Sequence, residues 1–149
     1  MGLRERLDED LKAAMRQKDP LRLNTIRGLK SAVKYREIEL MKTLDDAGIL
    51  GVIASEIKRR RDAVEQYHAG GRQDLVEKEE AESRILHGYL PQQLSTAELE
   101  AKVDEVIAQV GAQGPKDMGA VMKALLPDVQ GRADGKVVSE LVKQRLAGP

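Results

Sequence analysis

The stretch "YLPQQLSTAELE", Tyr89 to Glu100, ends one helix and begins another within a few residues. Pro91 has no backbone N–H to donate and disfavours helical geometry at Leu90, so a helix stops there. Ser95 and Glu98 then stand at the spacing of a capping box. The serine oxygen can accept the N3 amide while the glutamate reaches back to the N-cap amide, so a new helix starts. On both sides of the break apolar residues recur every three or four positions, and no segment alternates with period two. The pattern predicts an all-α protein with a boundary between Leu94 and Ser95. A helical domain of about four helices occupies 1–94, and a small three-helix domain occupies 95–149.

Upstream, Leu3, Leu7, Leu11 and Ala14 or Met15 form one stripe, which stops at Asp19-Pro20. Pro20 suits the first turn of a second helix, whose stripe runs Leu23, Ile26, Leu29 or Lys30, Val33 and on to Leu40 and Met41. A third follows "LDDAG" through Ile53, Ile57, Val64 and Tyr67 to "AGG", where a glycine can take the left-handed cap. Leu75, Glu82, Ile85, Leu86 and Tyr89 make a weaker fourth. Downstream lie three shorter stripes: Leu99 to Val110, Met118 to Leu125, and Val137 or Val138 to Leu146.

At 149 residues the chain is the size of one domain or of two small helical units. It has no Cys, Trp or Phe and only three Tyr, so Leu, Ile, Val, Ala and Met must build the core. Without cysteine, disulfides and thiolate metal sites are excluded. The 25 basic and 25 acidic residues cancel, so no global field draws in nucleic acid or an anionic membrane, and any anion site must be local. "MGLRERLDEDLK" has no apolar signal core, and Arg6 stands where N-myristoylation favours Ser or Thr. The longest apolar stretch, around Ile49 to Ala54, is too short to span a bilayer. These features read as a soluble cytoplasmic protein with no membrane partner.

Catalytic constellations are sparse. His68 and His87 lie apart with no metal-binding spacing, and ordinary surface or cap histidines are the favoured reading. "EKEEAE", Glu77 to Glu82, supplies carboxylates, but on a helix such a run reads as a solvated face rather than an acid and base pair. No phosphate-binding glycine loop or nucleophile elbow is present. No catalytic residue, metal or cofactor is assigned, and the chain does not read as an enzyme by itself. The densest basic run, "EIKRRRDAVE", places Glu56 and Arg60, Lys58 and Asp62, and Arg61 and Glu65 four apart, so it reads as a self-neutralised helix face.

Three motifs together, "AGGRQDLVEKEEAE", "YLPQQLS" and "DMGAVMKALLPDVQGRADGKVVSELVKQRL", resemble the stand-alone YqeY group of the GatB/YqeY family over essentially the whole chain. The resemblance implies an all-helical protein in two domains. It also implies kinship with the C-terminal end of the B subunit of the glutamine-dependent tRNA amidotransferase, a carbon-nitrogen ligase with glutamine as amido-N-donor. There the tail domain faces tRNA, and the ATP-dependent chemistry belongs to an N-terminal body that has no counterpart here. Gly119, Val121, Met122 and Lys123 match the first part of the tail motif. Gly131, Arg132, Ala133 and Val138 match the second, with Asp134 and Gly135 replacing an Asn-Pro pair.

The resemblance thus implies a non-catalytic tRNA-binding accessory module in which Lys123, Arg132 and Lys136 contact phosphates. The alternative is a protein-interaction module that docks on an amidotransferase or another tRNA-linked enzyme without touching RNA. Under that alternative Gly119, Met122, Gly131, Asp134 and Gly135 serve packing. Asp134 suits the N-cap of the last helix, where its carboxylate would repel a phosphate, and Gly119 suggests close approach of a helix or of RNA backbone. From Lys116 onward six cations face four carboxylates, a mild bias only.

Overall fold

The computed structural model describes residues 2–148. Seven α-helices account for most of them, and no strand occurs among the described residues. They are α1 (Leu3–Arg16), α2 (Pro20–Leu40), α3 (Asp46–Ala69), α4 (Gln73–His87), α5 (Thr96–Val110), α6 (Met118–Val129) and α7 (Gly135–Leu146). A 3-10 turn, Pro115–Asp117, leads into α6. The contacts divide the chain between Leu90 and Pro91 into two compact units, each with a core of its own.

In the first unit local chemistry sets the helix ends. Asp19 is the N-cap of α2, its Oδ1 accepting from the Arg22 amide at 3.2 Å, and Pro20 takes the first helical position, where its missing N–H costs nothing. Asp45 caps α3 through the Gly48 amide at 2.8 Å. A Cβ on Gly48 would lie 2.8 Å from Leu44 Cδ2, so glycine is what lets Leu44 fold back onto the core. The loop before it is clamped by Glu37, which accepts from the Leu44 amide at 2.8 Å and from Arg4 Nη2 at 2.6 Å. The Leu44 hydrogen bond and then Arg4 hold the Glu37 carboxyl below its ordinary range.

The core joins Leu3 and Leu7 of α1 to Ile26, Leu29 and Val33 of α2, Ile49, Ile53 and Ile57 of α3, and Leu86 and Tyr89. The α2 stripe departs from its predicted course at the end: Leu40 is 39% exposed and Met41 91%. At 21 residues α2 is longer than the 14-residue α1 beside it, and its last turns run past the core. Between α3 and α4 lies a polar cluster that the sequence showed only in part. Arg60 reaches Glu56 on its own helix at 3.3 Å and Glu82 on α4 at 3.2 Å.

The second unit packs Leu99, Val103 and Val106 of α5 against Val121, Leu125 and Val129 of α6 and Val138, Val142 and Leu146 of α7. Its core is aliphatic throughout, as a chain so poor in aromatics requires. The Ser95 and Glu98 capping box opens α5, with both reciprocal hydrogen bonds at 3.1 Å. Gly111, at φ +68, closes the helix in the left-handed conformation that glycine adopts without steric cost.

Candidate functional site

The motif from Met118 to Val138 folds as α6, a tight connection, and the first turn of α7. Gly131, at φ +75, reverses the chain directly after the helix. Asp134 is the N-cap of α7, its Oδ1 accepting from the Lys136 amide at 2.8 Å, so a carboxylate occupies the site that a helix N-terminus would offer a phosphate. Arg132 is tied into the same connection. Its Nε donates to the Gln92 carbonyl at 3.0 Å, and its own carbonyl accepts from the Leu94 amide at 2.8 Å. Gln93 Nε2 donates to the Gly131 carbonyl at 2.8 Å. The segment before α5 is therefore stitched to the α6–α7 connection by three hydrogen bonds. Hydrogen bonding from Ser95, with a smaller contribution from the Arg132 charge, holds the Glu98 carboxyl low.

Gly119 sits in the first turn of α6, exposed, and a Cβ there would meet nothing within 4 Å. No helix packs closely against it, so close helix approach does not explain this glycine. Gly119→Ala should leave the fold intact and raise stability by about 0.5 kcal/mol through helix propensity, read as a higher thermal midpoint. A lower midpoint would mean that the glycine backbone is needed. Gly135 likewise has open space around its missing Cβ, while Met122 is half-buried against the core.

Two surfaces of opposite character flank the motif. A groove of about 310 Å³ runs between the start of α5 and α7, with Leu94, Leu99, Val137 and Leu141 among its apolar lining. Its charged lining is Glu100, Asp134 and Glu140 against Arg132. Three carboxylates against one guanidinium make it a poor place for phosphate. Neither Lys123 nor Lys136 lines it.

The lysines lie elsewhere, and the ion pairs to α5 say where. Asp128 on α6 pairs with Lys102 of α5 at 3.6 Å, and Arg145 on α7 pairs with Glu100 and Asp104 of α5 at 3.7 and 3.3 Å. At about 100° per residue, Lys123 lies about 140° around α6 from Asp128, and Lys143 lies about 160° around α7 from Arg145. Measured from the buried stripes, Lys123 lies about 160° from the centre of Val121, Leu125 and Val129, on the outer face of α6, and Lys143 lies about 100° from the centre of Val138, Val142 and Leu146, on the flank of α7. Lys136 precedes Lys143 by seven residues, two turns of α7, while Lys116 lies in the 3-10 turn before α6, and all four lysines are exposed. The tail motif contains Lys123, whereas Lys116, Lys136 and Lys143 are not among its matching positions. Glu140, which lines the groove, lies one turn from both Lys136 and Lys143 on α7. Among the described residues no cluster of His, Asp or Glu is arranged to hold a metal, and no helix is long and apolar enough to cross a membrane.

A family model described as Yqey-like protein matches residues 4–146. A protein of Lachancea thermotolerans named altered inheritance of mitochondria protein 41, mitochondrial, is 40% identical over 112 residues, covering 73% of this chain and 60% of that protein. The protein of the same name from Pyrenophora tritici-repentis is 32% identical over 143 residues, covering 93% of this chain and 78% of its own length. That from Saccharomyces cerevisiae is 30% identical over 131 residues, covering 87% of this chain and 69% of its own. Relatives named as mitochondrial overturn the cytoplasmic reading of the sequence. That reading rested on the lack of an apolar signal core, of a myristoylation match and of a membrane-length apolar stretch. None of the three names the compartment that contains a chain.

Proposed function

The chain belongs to the Yqey-like protein family, and from that premise we propose that it is a non-catalytic tRNA-binding accessory module related to glutamine-dependent tRNA amidation. The observation that carries this reading is the set of four exposed lysines, Lys116 before α6, Lys123 on α6, and Lys136 and Lys143 on α7, with Lys123 and Lys143 turned from the ion pairs that join α6 and α7 to α5. Lysine is a compact, flexible point charge, suited to following phosphates without reading bases. Arg132 adds to the local field, but its Nε is committed to the Gln92 carbonyl and its primary work is to hold the connection.

The test is the salt dependence of tRNA binding by the full chain. Converting Lys116, Lys123, Lys136 and Lys143 to glutamate should lower the slope of log affinity against log salt by roughly 1 for each phosphate no longer neutralised, with circular dichroism unchanged. Discrimination among tRNA species should stay constant, because no base edge is contacted. Unchanged affinity in the folded variant would overturn the reading.

A second reading, a protein-interaction module, draws on the groove beside α7. Its apolar floor and carboxylate rim suit a partner segment with an aliphatic anchor beside basic residues, such as one on an amidotransferase or another tRNA-linked enzyme.

A further inference from the structure

The second helix carries two stripes, and the core uses only one. Ile26, Leu29 and Val33 face inward. On the opposite side Leu21, Asn24, Gly28, Ser31, Tyr35 and Ile38 follow one another at spacings of three, four, three, four and three, and every one is exposed. Tyr35 is 67% exposed, Ile38 65% and Leu21 38%. Single surface apolar residues are ordinary, but this spacing is that of the a and d positions of a coiled coil, sustained along nearly the whole helix.

We propose that this stripe pairs in parallel with the same stripe of a second copy of the chain. Three features favour that occupant and that direction. In a parallel two-fold pair identical residues meet, so Asn24 faces the partner's Asn24, and the two amides hydrogen-bond across the seam and fix its register. Gly28 and Ser31 are small, and a Cβ on Gly28 would meet nothing within 4 Å, so the helices approach closely at mid-length. The flanks decide direction. Arg27 and Lys34 lie along one side of the stripe and Glu39 on the other, so a parallel pair sets Lys34 opposite the partner's Glu39, twice by symmetry. An antiparallel pair would instead bring the two basic flanks together. Glu39 meets Arg36 of its own helix at 3.6 Å with both side chains about half exposed, an ion pair that exchanges partners at little cost. A seam one helix long belongs at the weak end of the interface range, so the dimer should be concentration-dependent.

The natural absence of cysteine makes the test direct. Ser31→Cys should form a disulfide-linked dimer on air oxidation, much faster than Arg36→Cys, which lies exposed on the same helix off the stripe. In sedimentation the wild-type chain should shift toward twice the monomer mass as concentration rises. Tyr35→Glu with Ile38→Glu should remain monomeric with unchanged helicity, since both side chains project into solvent. The proposal is overturned if the wild-type chain stays monomeric at every concentration, or if the double variant still dimerises. It is also overturned if Ser31→Cys cross-links no faster than Arg36→Cys, or if disulfides form only between mixed Gly28→Cys and Ser31→Cys chains, as an antiparallel pair would require.

Discussion

Arg60→Met should lower the unfolding free energy by about 2–4 kcal/mol, because it strands three carboxylates between α3 and α4. Arg60 is 17% exposed, and the acids around it are nearly as covered: Glu56 at 11%, Glu82 at 14% and Glu79 at 20%. Its Nη1 meets both the carboxylate and the carbonyl of Glu56, at 3.3 and 3.2 Å, while its Nε serves Glu82 at 3.2 Å and lies 4.0 Å from Glu79. Removing the guanidinium takes away the attraction but leaves the desolvation of the acids, which is why breaking such a cluster costs more than the cluster contributes. Arg59 remains at 3.3 Å from Glu56, yet it is 77% exposed and screened by solvent, so it softens the loss without cancelling it.

Two companion variants separate charge from shape. Arg60→Lys should fall between wild type and Arg60→Met, because a single ammonium cannot address acids on two helices in the guanidinium's fixed geometry. Arg60→Met combined with Glu56→Gln and Glu82→Gln should recover much of the loss. Urea unfolding at unchanged slope is the measurement. A loss below about 0.5 kcal/mol in Arg60→Met would show that the cluster behaves as an ordinary surface ion pair.

The same cluster shows how far sequence reasoning reaches. The four-residue spacing of Glu56 and Arg60 is a local fact, and their pairing was legible. The partner 22 residues on was not, because it depends on which face α4 turns toward α3, and Glu82 belongs to a run that reads as solvated. Helix ends were legible for the same local reason: Asp19-Pro20 and the Ser95 and Glu98 box act on amides within one turn of themselves. Arg132 marks the opposite limit. Its motif placed it among phosphate contacts, yet its Nε is bonded to a carbonyl 40 residues earlier, a pairing that no local pattern contains. The outer stripe of α2 was present in the sequence too, but its middle is polar and small, so the core stripe dominates the apolar period.

Raising the pH above about 10 should destabilise the first unit through Tyr89. Its ring is buried, its hydroxyl donates to Asp10 Oδ2 at 2.6 Å, and the Arg6 guanidinium carbon lies 4.7 Å from the ring centre. Burial, followed by the hydrogen bond to the Asp10 carboxylate and its charge, pushes the phenol well above its ordinary value, while Arg22 and Arg6 pull weakly the other way. A raised folded value means that the native state holds the proton more tightly than the unfolded chain. The resulting stability is complete below the unfolded value near 10 and is lost as pH climbs toward the folded one. The loss is at most about 1.4 kcal/mol per pH unit, and less to the extent that solvent reaches Asp10, whose side chain is 26% exposed. Tyr89→Phe isolates this contribution from general alkaline denaturation. At neutral pH the variant should be less stable by about 1–2 kcal/mol, having lost a hydrogen bond to a charged acceptor that keeps Arg22 at 3.4 Å. Past pH 10 the unfolded wild-type chain is stabilised by ionising its phenol, whereas the variant has no phenol to ionise, so the gap should close and then reverse. Parallel stability curves for the two proteins from pH 8 to about 11.5 would mean that the Tyr89 hydroxyl does not govern the alkaline limit.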